Sequence, residues 1–137
     1  MSYPIDTIEG IGVKYKKILK SNGIASTGKL LDAGAKKKGR QDLAKQTGIE
    51  EKLILKWTNM ADLLRVKGVG EEYSELLEVA GVDTVKELRK RKPENLHQAM
   101  TEANAKRKKK LVRQLPGLAQ VEKWVKHAKE LKPTMTY

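Results

Sequence analysis

The chain has 137 residues, enough for one ordinary domain or two very small ones packed together. It contains no cysteine, which excludes disulfides, thiolate metal sites and cysteine nucleophiles, and its two histidines cannot by themselves make a zinc centre. The net charge is +12, from 29 Lys and Arg against 17 Asp and Glu, and a charge of this size favours a polyanionic partner such as nucleic acid.

Residues 1–10 have neither a basic start nor an apolar stretch, so the sequence predicts no secretion signal. No apolar run approaches the roughly 20 residues that cross a bilayer. We therefore expect a cytoplasmic protein, with the nucleoid as a second expected location. We expect no membrane partner, metal, cofactor or small-molecule substrate.

An internal repeat begins near the N-terminus. Residues 8–31 match residues 66–89 at an offset of 58, which places Gly10-Ile11-Gly12 on Gly68-Val69-Gly70. We call these two segments the first and the second glycine turn. In each copy the turn directly precedes apolar residues at the i, i+3, i+4, i+7 spacing of a helix with one buried face. Each copy is therefore predicted to form one supersecondary unit.

The first unit is predicted over residues 1–48. Gly23 is placed to end the helix after the first glycine turn, because glycine readily adopts the left-handed conformation of a helix C-terminus. Ser26 is then placed to cap the next helix. A lysine cluster at 36–38, followed by Arg40, stands near a further predicted helix start.

The second unit, predicted over residues 49–104, starts with a connector helix between Glu50 and Val66, whose apolar spacing lets it pack on both units. After the second glycine turn and its helix, Gly81 is the predicted stop and Asp83 or Thr84 the predicted cap of a helix over 85–91. Pro93 suits the first turn of a helix that runs to about residue 103.

Residues 105–137 are predicted to form a basic helix over 106–114 and a final helix around Trp124, both packed on the rest of the chain. A third, eroded copy of the unit near Leu115-Pro116-Gly117-Leu118 is a weaker interpretation, because it needs a one-residue shift. No sustained alternation of β-branched residues predicts a strand. The sequence therefore predicts an all-α fold.

The order of helix, glycine turn and helix resembles the helix-hairpin-helix motif of nucleic-acid-binding proteins, over Ile8 to Gly23 and Met60 to Gly81. The whole chain is also similar to a bacterial family of small proteins built from two such motifs. The resemblance implies a small bundle of two tandem helix-hairpin-helix units, of the SAM/HhH-like type, with a C-terminal helix. It also implies DNA binding.

Independently of the resemblance, two glycines without Cβ let main-chain N–H groups approach a phosphate, and the positive end of the following helix points at the same place. Nothing in such a contact distinguishes one base from another. The helix after the first turn carries Lys14, Lys16 and Lys17, whereas the second begins with Glu71 and Glu72. Phosphate contact is therefore predicted for the first turn.

The predicted sites follow from this charge difference and from two further basic clusters. The candidate phosphate-binding residues are Gly10, Ile11, Gly12, Lys14, Lys16, Lys17, Lys36, Lys37, Lys38, Arg40, Lys106, Arg107, Lys108, Lys109 and Lys110. A structural or protein-facing role is predicted for Gly68, Val69, Gly70, Glu71 and Glu72.

The predicted function is binding to the nucleic-acid backbone without sequence preference. The family resemblance favours DNA, although the residues themselves do not separate DNA from RNA. The alternative is a protein-interaction or dimerisation module that uses the acidic helix after the second turn. No pattern singles out a catalytic residue, so we expect no enzymatic activity.

Overall fold

A computed structural model describes residues 2–107 and 109–137 of the chain. The fold is all-α, as predicted, and the described residues form no β-strand. A short 3₁₀ helix, Ile5–Thr7, precedes the α-helices. The α-helices are α1 (Val13–Ser21), α2 (Thr27–Gly34), α3 (Lys37–Thr47), α4 (Glu51–Leu63), α5 (Glu71–Val79), α6 (Val85–Leu88), α7 (Pro93–Ala105) and α8 (Leu118–Glu130).

The apolar side chains form two cores. The first joins the 3₁₀ helix and α1 to α4, and the second joins α5 to α8. The predicted connector helix α4 contributes most of its apolar face, including Trp57, to the first core, and it gives only Leu63 to the second. In the second core Trp124 of α8 occupies the corresponding central place.

The two cores are built from the same four-helix unit. The first three helices correspond at the offset of 58, and α4 corresponds to α8 at an offset of 67. The difference arises between the third and fourth helices, because residues 48–50 link α3 to α4 whereas residues 106–117 link α7 to α8. The basic cluster at 106–110 is therefore part of an insertion in the second copy. The final helix is the fourth helix of the second unit, and no third copy is formed.

The predicted local signals appear at their expected positions. The Ser26 hydroxyl accepts a hydrogen bond from the Lys29 amide at 3.2 Å, and the Thr84 hydroxyl accepts one from the Glu87 amide at 3.3 Å. Gly23 and Gly81 have φ of +81° and +100°, in the region that favours glycine. These bonds and turns end α1 and α5 and start α2 and α6 in the same way in both units.

The predicted basic helix over 106–114 is wrong. The α7 helix ends at Ala105, and the described residues that follow are irregular. The buried side chain of Asn104 accepts a hydrogen bond from the Leu111 amide at 3.0 Å, which turns the chain back on itself. Five adjacent cations would also repel one another along a helix. Lys108 lies outside the described residues.

Long-range contacts tie the units to each other. The buried Asp62 carboxylate at the end of α4 accepts hydrogen bonds from the Val85 amide at 2.8 Å and from Arg65 at 2.7 Å. The chain after α8 returns to the first unit, where Met135 joins the first core and the Thr136 amide donates to the Ala35 carbonyl at 2.9 Å. The C-terminal tail therefore closes the first unit.

Candidate nucleic-acid interface

The first glycine turn is anchored by packing and is open on its outer side. Ile11 is buried, and its amide donates to the Ile8 carbonyl at 3.2 Å. Gly10 has φ of +94°, and a Cβ at this position would lie 3.4 Å from the indole nitrogen of Trp57. Gly12 has φ of −83°, and a Cβ there would meet no atom within 4 Å. Gly10 is thus a packing residue, whereas Gly12 faces open space.

The amides at the end of this turn and at the start of α1 find no acceptor in the described part of the chain. Among the described residues, no hydrogen bond uses the N–H groups of residues 12–15, and Lys16 is the first to donate, to the Gly12 carbonyl at 2.9 Å. Val13, at the first position of α1, is 86% exposed and covers nothing. The positive end of α1 is consequently accessible to an anion. Ile11 lies outside this set, because its amide is used within the fold.

The second glycine turn has the same backbone geometry and the opposite charge. Gly68 has φ of +89°, Gly70 has φ of −100°, and the Val69 amide donates to the Val66 carbonyl at 3.1 Å. The amides of residues 70–73 also have no acceptor among the described residues. Glu71 and Glu72 stand in the first turn of α5, where their negative charge interacts favourably with the helix dipole and repels phosphate.

The lysines of α1 differ in availability. Lys14 and Lys17 are exposed and form no ion pair among the described residues. Lys16 is half-buried, and its ammonium lies 2.9 Å from an Asp6 carboxylate oxygen. The hydrogen bond from Lys16 also lowers the pKa of Asp6. Lys16 is therefore paired already, and phosphate contact would compete with Asp6.

The prediction that Arg40 contacts phosphate is wrong, because only 2% of the residue is exposed. Its guanidinium donates to the carbonyls of Gly34 at 2.8 Å, Ala35 at 3.1 Å and Thr136 at 2.8 Å. Arg40 is therefore a structural residue that holds the end of α2 and the C-terminal tail together.

The remaining basic clusters occupy other places. Lys36, Lys37 and Lys38 are exposed at the start of α3. The described residues of the second cluster are exposed as well, and Arg107, Lys109 and Lys110 line a depression that acidic residues share. Those acidic residues are Glu9, Glu71, Glu72 and Glu75. The insertion thus places its cations beside the acidic side of the molecule.

Glu9 and Glu71 bring the two units' carboxylates into contact. Burial raises the pKa of Glu71, and the hydrogen bond and charge of Glu9 raise it further, followed by the charges of Glu75 and Glu72. Burial, and then the charge of Glu9, also raise the pKa of Glu75, while Lys56 opposes the shift. The junction between the first turn and α5 therefore carries mutually repelling charges at neutral pH.

We expect Glu9→Gln to stabilise the protein at pH 7 by about 0.5 kcal/mol, because it removes a like charge from this junction. A carboxyl whose pKa is raised by folding costs stability above that pKa and none well below the pKa of the unfolded chain. The gain should therefore disappear as the pH falls through the raised pKa of Glu71. Urea unfolding of Glu9→Gln at pH 7 and pH 4 measures this change. Glu122→Gln on α8 is the control, and an equal, pH-independent gain in both variants would contradict the interpretation.

The equivalence of the two tryptophans was not predicted from the sequence. The Tyr15 and Trp57 ring centroids lie 5.0 Å apart, and those of Tyr73 and Trp124 lie 5.2 Å apart. A Cβ on Gly68 would lie 3.1 Å from the Trp124 indole nitrogen, as one on Gly10 would approach Trp57. Each turn thus packs on a tryptophan from its unit's fourth helix. The signal is a Lys-Trp pair with Ile or Val three residues before Trp and Ala four after it.

These observations define an all-α protein made of a duplicated four-helix unit, with a glycine turn packed on a tryptophan in each copy. The chain belongs to the family of a domain of unknown function, DUF4332, which matches residues 9–131. The match spans both units and ends just after α8. No curated protein and no solved structure matches the chain. Among the described residues, no helix combines the length and apolar character that a membrane span requires.

Proposed function

We propose that this protein binds DNA through the sugar-phosphate backbone, without sequence preference, at the first glycine turn. In this proposal each glycine turn, with the helical segment before it and the helix after it, forms a helix-hairpin-helix motif, and only the first motif contacts phosphate. The observation that carries the proposal is the set of unpaired amides at residues 12–15, beside the exposed Lys14 and Lys17. Backbone amides and a helix N-terminus bind anions, and lysines add the salt-dependent attraction.

The charge of the two helices supports the choice of the first turn. Both turns have the same backbone geometry, but α1 has no acidic residue in its first turn and α5 has two. A phosphate at the second turn would meet Glu71 and Glu72 at short range. The two turns offer the same hydrogen-bonding groups, so the difference in charge is what favours the first turn for phosphate contact.

Binding by fluorescence anisotropy tests the proposal. We expect the full chain to bind a labelled 20-base-pair duplex of any sequence, with an affinity that falls by about three powers of ten between 50 and 200 mM salt if roughly six phosphates are contacted. Equal affinity for unrelated sequences is expected, because the contacts reach no base edge. Absent or salt-insensitive binding would contradict the proposal. Single-stranded DNA and structured RNA, titrated in parallel, rank the partners.

We expect Gly12→Ala to weaken duplex binding about 10-fold with little change in stability. The backbone at Gly12 suits alanine and the space around it is empty, so the new methyl group affects the approaching phosphate more than the fold. Gly70→Ala is the matched control, since Gly70 has the same surroundings at the second turn. Anisotropy and thermal unfolding of both variants give the two readouts. Equal loss of binding in both variants would rule out the assignment to the first turn.

The acidic helix α5 has less support as a binding surface for an external partner. Glu75 and Glu78 line cavities formed with the first unit, and the charge of Lys56 acts on Glu75. Glu71 and Glu72 remain exposed at the start of the helix. We therefore propose that much of the acidic face of α5 serves the contact between the two units. We further propose a binding protein and not an enzyme.

A further inference from the structure

A basic groove lies between the second glycine turn and α8. It encloses about 730 Å³, and Trp124 and Gly68 form part of its apolar lining. Lys67, Lys123 and Lys126 stand around it, together with one carboxylate, Glu130. The Lys67 amide donates to the ring of His127 at 3.0 Å, which fixes the turn against the helix. The groove therefore has an apolar centre and a rim of three lysines and one glutamate, with a net positive charge.

The corresponding groove of the first unit is occupied by α5. The duplication relates Gly68 to Gly10 and Lys123 to Lys56, and Gly10 and Lys56 line a cavity of about 230 Å³ whose other side is Glu75, Glu78 and Val79. A second cavity, of about 540 Å³, lies between α4 and Glu78. Most residues that line the open groove have counterparts in these two cavities. An acidic helix thus covers this surface in one copy, and no residue that the structure describes covers it in the other.

The open groove is more basic than the occupied one. Lys67 stands where the first unit has Glu9, and Lys126 stands where it has Asn59. The repulsion that raises the pKa of Glu75 beside Glu9 therefore has no counterpart in the second unit. A helix with the charges of α5 would meet three lysines and one glutamate there, and the net positive charge favours its approach over that of a neutral or basic helix.

A second copy of the chain is a poor occupant of the groove. In a head-to-tail arrangement the neighbouring copy would present α1 in the place that α5 takes in the first unit. The residues that correspond to Glu75 and Glu78 are Lys17 and Lys20. These cations would face Lys67 and Lys123, and like charges at an interface oppose association.

We propose that this groove binds an acidic amphipathic helix of a partner protein, with Glu at i and i+3 and a small apolar residue at i+4, the spacing of Glu75, Glu78 and Val79. The apolar residue would pack beside Gly68 and Ala119, over the edge of the buried Trp124, and the carboxylates would pair with Lys123 and Lys126. This inference goes beyond the proposed DNA binding and does not depend on it, since the two surfaces belong to different units.

The experiment uses the full, ¹⁵N-labelled chain and a 20-residue alanine-based helical peptide that carries Glu-x-x-Glu-Val twice on one face. We expect the peptide to shift the amide signals of Gly68 and Gln120 and the indole N–H signal of Trp124. The double variant Lys123→Glu/Lys126→Glu should weaken peptide binding at least about 10-fold, because the rim charge is reversed. The control Lys90→Glu/Lys129→Glu has the same net charge and should change the affinity less than about twofold.

Several results would overturn the proposal. These are the absence of shifts at millimolar peptide, equal weakening in both double variants, and equal binding of a peptide with Lys in place of Glu. Duplex DNA that shifts the same signals when the peptide does not would assign the groove to nucleic acid instead. Thermal unfolding of each variant checks that the variant is folded under the conditions of the titration. The Gly12→Ala result is read from DNA binding alone, so failure of one proposal leaves the other test unaffected.

Discussion

Reversal of two exposed charges on α1, in the variant Lys14→Glu/Lys17→Glu, is expected to weaken duplex binding roughly 50-fold at 0.1 M salt. Each phosphate contact contributes a slope of about 0.9 to the dependence of log affinity on log salt, so two lost contacts remove about 1.8 from it. Over the tenfold range from 0.1 to 1 M this amounts to about 60-fold. Lys16 is left unchanged because it is paired with Asp6.

Anisotropy titrations at three salt concentrations measure both the affinity and the slope. The control Lys45→Glu/Lys90→Glu removes the same net charge from exposed positions on other elements. We expect it to reduce affinity only a few-fold, through the weaker overall field. If both double variants lost the same affinity and the same slope, binding would reflect total charge alone, and the first glycine turn would have no special role.

Replacement of the buried guanidinium, in Arg40→Met, is expected to destabilise the protein by about 3 kcal/mol. The substitution keeps much of the aliphatic volume but leaves the Gly34 and Thr136 carbonyls without the Arg40 donor and the Ala35 carbonyl with the Thr136 amide alone. An unsatisfied buried group costs about 1 to 3 kcal/mol. For a chain of this size the melting temperature should fall by about 10 °C. The C-terminal tail, which Arg40 holds through Thr136, should become accessible to carboxypeptidase.

Thermal unfolding, urea unfolding and tail digestion measure these effects. Lys38→Met, on an exposed position of the same helix, is the control, and we expect it to change stability by less than about 0.5 kcal/mol. DNA affinity of Arg40→Met, measured well below its melting temperature, should stay close to that of the unaltered chain. Unchanged stability together with a large loss of DNA affinity would restore Arg40 to the phosphate-binding surface and contradict its structural role.

The duplication accounts for much of the difference between the two halves of the molecule. Both units have the same turn, the same tryptophan packing and the same sequence of four helices. One unit carries lysines on the helix after its turn and has its groove covered by α5. The other carries glutamates on that helix and leaves its groove open. In our proposals the first unit binds DNA at its glycine turn, and the second unit binds a partner helix at its groove. Each unit therefore binds through a different part of the surface that the duplication gave to both.

Local signals in the sequence were sufficient for the secondary structure around the repeat. The positive φ values at Gly23 and Gly81 and the caps at Ser26 and Thr84 depend on residues within a few positions of one another, so the chain alone predicts them. The prediction for residues 106–114 rested on the helical spacing of the basic run and is wrong. The Asn104 side chain accepts a hydrogen bond from an amide seven residues ahead, and this contact turns the chain away from a helix. The spacing of the basic run does not encode that contact.

The candidate site was predicted only in part, for the same reason. The sequence by itself determined the all-α class, the repeat, the two glycine turns and the inversion of charge between them, since these are properties of composition and short spacing. Only the tertiary structure decided that Arg40 is buried, with Thr136 96 residues away as a partner, and that α5 covers one groove while the other stays open. Such contacts join residues far apart in the chain, and they are selected by how whole helices pack, which no local pattern encodes.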